Sequence, residues 1–244
     1  MNNETCKIKE LKKNIDKSKR IVLFTGAGIS VPSGIPDFRS ANGIYNEKLK
    51  SNYRPEEIIS HSFFMSHPDI FYEFFKEKMV YPTAKPNIAH EYFAQKEKEG
   101  KLIGVITQNI DGLHQMAGSI NVVELHGTVH RAYCMRCGKE FDDTSYYLDK
   151  IPHCSCGGLI KPDVVLYEES LKDKDIKDAV SLMESADTLI VVGTSLIVYP
   201  AAAFINYFMG DNLVLINKSH LGLKNCLEIN DDIVNVIKEL REIE

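Results

Sequence analysis

Residues 21–39 read IVLFTGAGISVPSGIPDFR. Ile21, Val22, Leu23 and Phe24 form an unbroken apolar run closed by glycine, which suits a strand buried on both faces. Periodicity alone leaves a buried helix segment open, and the turn favours the strand. Gly26 and Gly28 put two residues without side chains at the strand's end. There, backbone N–H groups can approach a pyrophosphate and a following helix can present its positive end. The spacing departs from a full dinucleotide fingerprint, because Val31 stands where the third glycine of G-x-G-x-x-G belongs. The acid due about 20 residues on has only Glu47 to fill it, in a polar stretch with no strand before it. On these residues alone an NAD dehydrogenase and a plain tight turn both stay open.

Four more apolar runs end in polar turns. Residues 102–107 (LIGVIT) lead into Gln108, Asn109, Ile110 and Asp111, and residues 121–125 (NVVEL) into His126 and Gly127. Residues 188–192 (TLIVV) lead into Gly193, Thr194 and Ser195, and residues 213–216 (LVLI) into Asn217, Lys218 and Ser219. Helical patterns at 87–99, 176–185 and 200–209 alternate with these runs. Short Val/Ile runs alternating with helices predict an α/β fold, a doubly wound parallel sheet with right-handed crossovers. Ligands bind such sheets beyond the carboxyl ends of the strands. All five polar turns fall there, which core packing or solubility does not account for. Residues 41–89 interrupt the pattern with helical patches such as 68–78 (PDIFYEFFKEK) and without a Val/Ile strand.

The 244-residue chain has 26% charged and 44% hydrophobic residues, an ordinary globular composition. Its formal charge of -5 argues against a general nucleic-acid surface. Residues 1–20 lack the apolar core of a signal peptide, and no run reaches the ~18 apolar residues of a membrane span, so a cytoplasmic protein without membrane partners is expected. Ile8, Leu11 and Ile15 recur at helical spacing among lysines, predicting an amphipathic first helix.

Four of the six cysteines cluster, Cys134 with Cys137 and Cys154 with Cys156, sixteen residues apart. That spacing fits a structural zinc site of four thiolates, which can hold together a segment too small for its own core. The second pair is C-x-C rather than C-x-x-C, and metal-free thiols or a redox pair are the other readings. Cys6 and Cys226 read as structural. His126 after an apolar run is either a packed, hydrogen-bonded group or, on the ligand rim with a pKa near working pH, a general base. The rim position favours the base; the other seven histidines, His90 and His114 among them, read as packing.

The ordered set GAGIS, GIPDFR, TQNID with LH, ELHG, two cysteine pairs and GTSLIVYP resembles the sirtuin family of NAD-dependent protein lysine deacylases, over residues 21–218. The resemblance implies a Rossmann-like domain (residues 1–40, 90–130 and 164–244) and a small domain built from a helical insertion (41–89) and a zinc module (131–163). It implies that Gly26, Ala27 and Gly28 face the phosphates of NAD and that Phe38 and Arg39 lie on a loop over the nicotinamide ribose. Gln108, Asn109, Ile110 and Asp111 would line the nicotinamide pocket, with Asn109 and Asp111 catalytic beside His126. Gly193, Thr194, Ser195, Asn217 and Lys218 would hold phosphate and adenosine ribose, and Asp232 with Ile233 would close over the adenine. The acetylated lysine of a partner protein would thread beside Val165 and Tyr167 and pair with Val198 and Tyr199.

The reaction so implied has the acetyl oxygen attack the ribose carbon that bears nicotinamide. His126 then draws a proton from a ribose hydroxyl, giving free lysine, nicotinamide and O-acetyl-ADP-ribose. Members that prefer succinyl or malonyl groups carry a Tyr-x-x-Arg pair; after Tyr45 the matching position is Lys48, so acetyl is expected to be preferred. Glu168 stands where most members have glycine. Mono-ADP-ribosyl transfer, removal of longer acyl chains and a non-catalytic NAD sensor are the rival readings.

Overall fold

The computed structural model describes residues 3–40, 43–46, 52–142, 150–197 and 201–243. Helix α1 (Asn3–Lys17) buries Ile8, Leu11 and Ile15 on one face and exposes Lys9, Lys13 and Lys17. Strand β1 (Ile21–Thr25) follows and is buried throughout. The α-helix expected to open at the glycine turn does not form. The chain makes two 3-10 turns, Ala27–Ile29 and Val31–Ser33, because Pro32 would break a continuing helix and Gly34, at φ 87°, turns the chain away.

The interruption after residue 40 contains α2 (Pro55–Ile58), α3 (His61–Ser66) and α4 (Pro68–Lys78). Helix α5 (Ile88–Lys98) is capped by Asn87, whose Oδ1 accepts the Ala89 N–H at 2.9 Å. Then come β2 (Leu102–Thr107), the single turn α6 (Leu113–Met116), β3 (Val122–Glu124), β4 (Gly127–Cys134), β5 (Glu140–Phe141) and β6 (Ile160–Val164). The chain closes with α7 (Asp173–Ser185), β7 (Thr188–Val192), a 3-10 helix at Ala201–Tyr207, β8 (Asn212–Ile216), β9 (Leu227–Ile229) and α8 (Ile233–Ile243). The helix expected at 200–209 is thus of the tighter 3-10 kind, and β9 is a sixth strand beyond the five expected.

Six parallel strands run in the order β3-β2-β1-β7-β8-β9, a doubly wound sheet whose order reverses between β1 and β7. Alternation along the strands divides the core. Ile21 and Leu23 point with Ile190 and Val214 toward α1, α5 and α8, while Val22 and Phe24 point with Val191 and Leu215 toward α7 and Phe204. A separate antiparallel sheet, β5-β4-β6, shares a core with α2, α3 and α4, so the residues around the cysteines and those of the helical interruption bury one another. Phe64, Phe71, Tyr72 and Phe75 are fully buried there, and each such side chain contributes about 1.5–3 kcal/mol. The Tyr72 hydroxyl donates to the Ile160 carbonyl and ties α4 to β6. Among the described residues no helix is long and apolar enough to cross a membrane.

Candidate active site

The two strands flanking the reversal end in loops that touch. A Cβ on Gly26 would lie 2.8 Å from the Gly193 carbonyl oxygen, and one on Gly28 would lie 2.6 Å from the Gly193 Cα. Gly26 N–H already donates to the Val192 carbonyl and Gly28 N–H to the Gly193 carbonyl, at 3.0 and 2.8 Å. The glycines are therefore needed for the close approach of the two loops, and their N–H groups are not the free phosphate donors expected from the turn. Gln108 adds a third tie, its Nε2 donating to Thr194 Oγ1 at 3.0 Å.

Over this junction lies an open cleft of about 840 Å³, within the usual range for ligand sites. Gly26, Ala27, Gly28, Gly193, Thr194, Ser195, Asn217, Lys218, Asp232 and Ile233 all line it, together with Val31. Lys218 and Asp232 pair at 2.8 Å. Adjoining the cleft is a smaller cavity of about 180 Å³, whose lining includes Ser30, Ile44, Met79, Tyr81, Ile110, Asp111, Val165 and Tyr167. Phe38, Arg39, Gln108, Asn109 and His126 line both. Val198 and Tyr199, and Lys48 of the acyl-group expectation, lie outside the described residues.

At the floor of the smaller cavity a hydroxyl joins two turns far apart in sequence. Ser30 Oγ donates to Asp111 Oδ2 at 2.7 Å and accepts from Asn109 Nδ2 at 3.1 Å, while Asp111 Oδ1 accepts the Leu113 N–H. Burial raises the Asp111 pKa, against the opposing pull of Ser30 and the Leu113 N–H. His126 Nδ1 lies 2.9 Å from the Gln108 carbonyl oxygen. A carbonyl can only accept, so Nδ1 carries the proton and Nε2 keeps its lone pair. Burial pushes the His126 pKa below the ordinary value, partly offset by the Gln108 carbonyl, so the ring is neutral at neutral pH. After it Gly127 adopts φ 74°, and a Cβ there would overlap the Asp163 carbonyl oxygen at 1.9 Å. The turn that aims His126 thus admits only glycine.

The segment bearing Val165 and Tyr167 is fixed by a buried lysine, which sequence reasoning did not single out. Lys161, 2% exposed, donates to the Val164 carbonyl (2.7 Å) and pairs with Glu169 (3.0 Å). Glu169 also accepts the Leu166 N–H and meets His61 Nδ1 at 2.8 Å. Burial lowers the Lys161 pKa while Glu169 opposes it, and the backbone and cationic partners of Glu169 outweigh its own burial and lower its pKa. On the cavity side the Tyr167 hydroxyl meets that of Tyr45 at 2.9 Å, and Arg39 lies over the Tyr45 ring.

Between these residues Glu168 has φ 75°, a left-handed backbone that costs a non-glycine residue about 1–2 kcal/mol. Its carboxylate accepts the Ser62 N–H and Oγ–H, both at 2.9 Å. Glu168→Ala keeps the backbone cost and loses both bonds, whereas Glu168→Gly loses the bonds and removes the cost. The glycine variant is expected to melt about 2–8 °C above the alanine variant; equal melting temperatures would show that the backbone there relaxes freely.

The four clustered sulfurs lie within 4.8 Å of one another, with Cys134 to Cys156 at 3.5 Å and Cys137 to Cys154 at 3.7 Å. Tetrahedral zinc with Zn–S near 2.3 Å separates its ligand sulfurs by about 3.8 Å, and a disulfide holds them at about 2 Å. The spacing fits the metal. The Cys137 N–H leads in drawing the Cys134 thiol down to about 6, while against the Gly158 N–H the neighbouring sulfurs push the Cys156 thiol up to about 11.

A model described as the Sir2 family matches residues 26–200. The NAD-dependent protein deacetylase of Clostridium acetobutylicum is 54% identical over 238 residues, covering 95% of this chain and 97% of that relative. A solved structure described as Sir2 bound to acetylated peptide superposes with a TM-score of 0.84 at 37% identity, and one described as Sir2-p53 peptide-NAD+ with 0.84 at 38%. Each covers 97% of this chain and 98% of its own.

Proposed function

The chain belongs to the Sir2 family and is an NAD-dependent protein deacetylase, and we propose that it passes the acetyl group of an acetylated lysine to the ADP-ribose part of NAD with His126 as general base. One observation carries this reading: His126 and Asn109 line both the glycine-walled cleft and the smaller cavity of Val165 and Tyr167, so one imidazole would border both substrates if each fills one of them.

NAD is a co-substrate. Its diphosphate and adenosine would occupy the cleft against Ala27, Ser195, Asn217 and Asp232, with Phe38 and Arg39 covering the ribose that reacts. Its nicotinamide would sit by Asn109, Ile110 and Asp111, whose amide and carboxyl groups are pre-oriented by Ser30. The acetyl-lysine would enter beside Val165 and Tyr167 and present its acetyl oxygen to the ribose carbon as the C–N bond to nicotinamide breaks. A cationic sugar-like transition state with a departing neutral base depends on positioning and water exclusion more than on a strong nucleophile. The bare Nε2 of His126 then accepts a proton from a ribose hydroxyl, whose oxygen bonds to the acetyl carbon; the lysine nitrogen leaves that carbon as the free amine, and one water adds to the carbon to give O-acetyl-ADP-ribose. The cysteines would hold a structural zinc that uses four protein ligands and so leaves no open position for substrate. Residues 41–89 and 131–163 would form the small domain, the remainder the NAD-binding one. The protein would work in the cytoplasm, without nucleic acid or membrane as partner.

The test is incubation with NAD and an acetylated peptide, following nicotinamide and peptide together. The expected products are nicotinamide, free-lysine peptide and O-acetyl-ADP-ribose in equal amounts. ADP-ribose attached to protein without O-acetyl-ADP-ribose would favour mono-ADP-ribosyl transfer, and absorbance of reduced cofactor would favour a dehydrogenase. Acetyl is expected to exceed succinyl in kcat/KM, because the Tyr-x-x-Arg pair of members that prefer succinyl has no counterpart after Tyr45, where Lys48 takes the matching position. A higher kcat/KM on succinyl-lysine peptide would refute that preference.

A further inference from the structure

His114 has no part in the chemistry above, yet it lies 1% exposed beneath the site with its ring 4.9 Å from that of the fully buried His90. The direction of its hydrogen bonds can be followed atom by atom. Thr25 Oγ1 donates to Thr107 Oγ1 at 2.9 Å, so at the 3.1 Å contact with His114 Nε2 it has to accept, and the His114 proton sits on Nε2. Thr107 Oγ1 also accepts the backbone N–H of Asn109 at 3.0 Å. On the far side His90 Nδ1 accepts the Asn87 N–H at 3.3 Å, which puts the His90 proton on Nε2. Among the described residues His90 Nε2 and His114 Nδ1 have no hydrogen-bond partner, the first a donor and the second an acceptor. Burial keeps both rings neutral, His90 with a pKa of about 4 and His114 well below its ordinary value, which preserves these tautomers through the working pH range.

We infer that His114 is a positioning residue for deacetylation, fixing the Asn109 backbone through the directed series His114, Thr25, Thr107, Asn109. The inference rests on the reading of Asn109 as part of the nicotinamide pocket. Thr25 and Thr107 are partners in the β1–β2 register, so the series crosses the sheet at the point where both strands turn into the site. A leucine would fill the same space without burying an imidazole nitrogen that lacks a partner, which costs free energy. What the imidazole adds is a donor that holds the Thr25 hydroxyl toward Thr107. Without it Thr25 can rotate, Thr107 loses a donor, and the Asn109 amide that touches Ser30 and lines both cavities is no longer held. Misplacement of a substrate-positioning group by a fraction of an ångström is enough to lower turnover substantially.

The test compares His114→Leu with His114→Gln, whose amide can restore a donor near Nε2, and Thr25→Val with Thr25→Ser. Full-length proteins are assayed for kcat and KM toward NAD at saturating acetylated peptide, for KM toward peptide, for NAD affinity by calorimetry and for melting temperature. His114→Leu and Thr25→Val are expected to lose about tenfold or more in kcat/KM for NAD, with peptide KM and melting temperature close to wild type. His114→Gln and Thr25→Ser are expected to recover most of that loss. Wild-type efficiency in His114→Leu, or equal impairment of His114→Gln and His114→Leu, would overturn the inference. If His114→Leu does not fold, the isosteric Thr25→Val and its serine counterpart make the same comparison. A wild-type protein that releases no nicotinamide would instead sink the deacetylase reading, while calorimetry still compares NAD binding among the variants.

Discussion

His126→Ala is expected to lower kcat for deacetylation by roughly 10²- to 10⁴-fold, the range for loss of a positioned general base, while NAD remains bound. Among the described residues the imidazole's one hydrogen bond runs from Nδ1 to the Gln108 carbonyl, and Gln108 is held separately by its side-chain bond to Thr194. Removing the ring therefore deletes the basic nitrogen with little disturbance to the glycine-lined cleft. The acid limb of the wild-type profile gives a second reading. Catalysis needs the neutral ring, and burial lowers the His126 pKa, so the neutral fraction persists below pH ~6.5, the ordinary value. Activity should accordingly hold to below that pH and then fall. Variant turnover within tenfold of wild type, or an acid limb centred above the ordinary histidine value, would remove His126 as the base.

The parallel sheet was legible because each of its interior strands is an apolar run followed by a polar turn, and both signals are local. Strand β9 was missed for the same reason: Leu227–Ile229 has only two apolar residues around Glu228, and its strand character comes from pairing with β8 at the sheet edge. That His126, Asn109 and Asp111 would sit on turns at the strand ends, where they line the cavity, was readable locally. Ser30 was not, since its partners lie 79 and 81 residues away and the contact exists only once β1 and β2 are paired. The same holds for Lys161, which as a lone lysine in an apolar stretch carries no local sign of its ion pair with Glu169. Gly26 and Gly28 line the cleft, and the requirement for glycine there comes from a source the turn itself does not display. Their neighbour across the reversal, Gly193, makes the space tight, and that neighbour is more than 160 residues distant.

Cys134→Ala should release the zinc and unfold the part of the molecule that grips the acetyl-lysine. Structural zinc in small modules contributes about 10–16 kcal/mol of apparent binding free energy, and one lost thiolate breaks a tetrahedral site that has no spare ligand. The damage should spread. Cys134 and Cys154 are buried within the same core as Phe64, Phe71 and Phe75, β4 and β6 meet at Cys134 and Ile160, and Ile160 takes the Tyr72 hydrogen bond from α4. Next to Ile160 in β6 is Lys161, whose pairing with Glu169 fixes the loop of Val165 and Tyr167. Loss of several kcal/mol at 2–4 °C per kcal/mol corresponds to a fall in melting temperature of about 10 °C or more. The parallel sheet has its own two cores, so binding of NAD to the glycine-walled cleft should outlast the loss of peptide binding. The measurements are zinc per chain by elemental analysis, melting temperature, and calorimetric titration with NAD and with acetylated peptide separately. Unchanged metal content in the variant would refute the four-thiolate assignment. Four freely titrating thiols or a disulfide in the native wild-type protein would return the cysteines to the metal-free or redox reading.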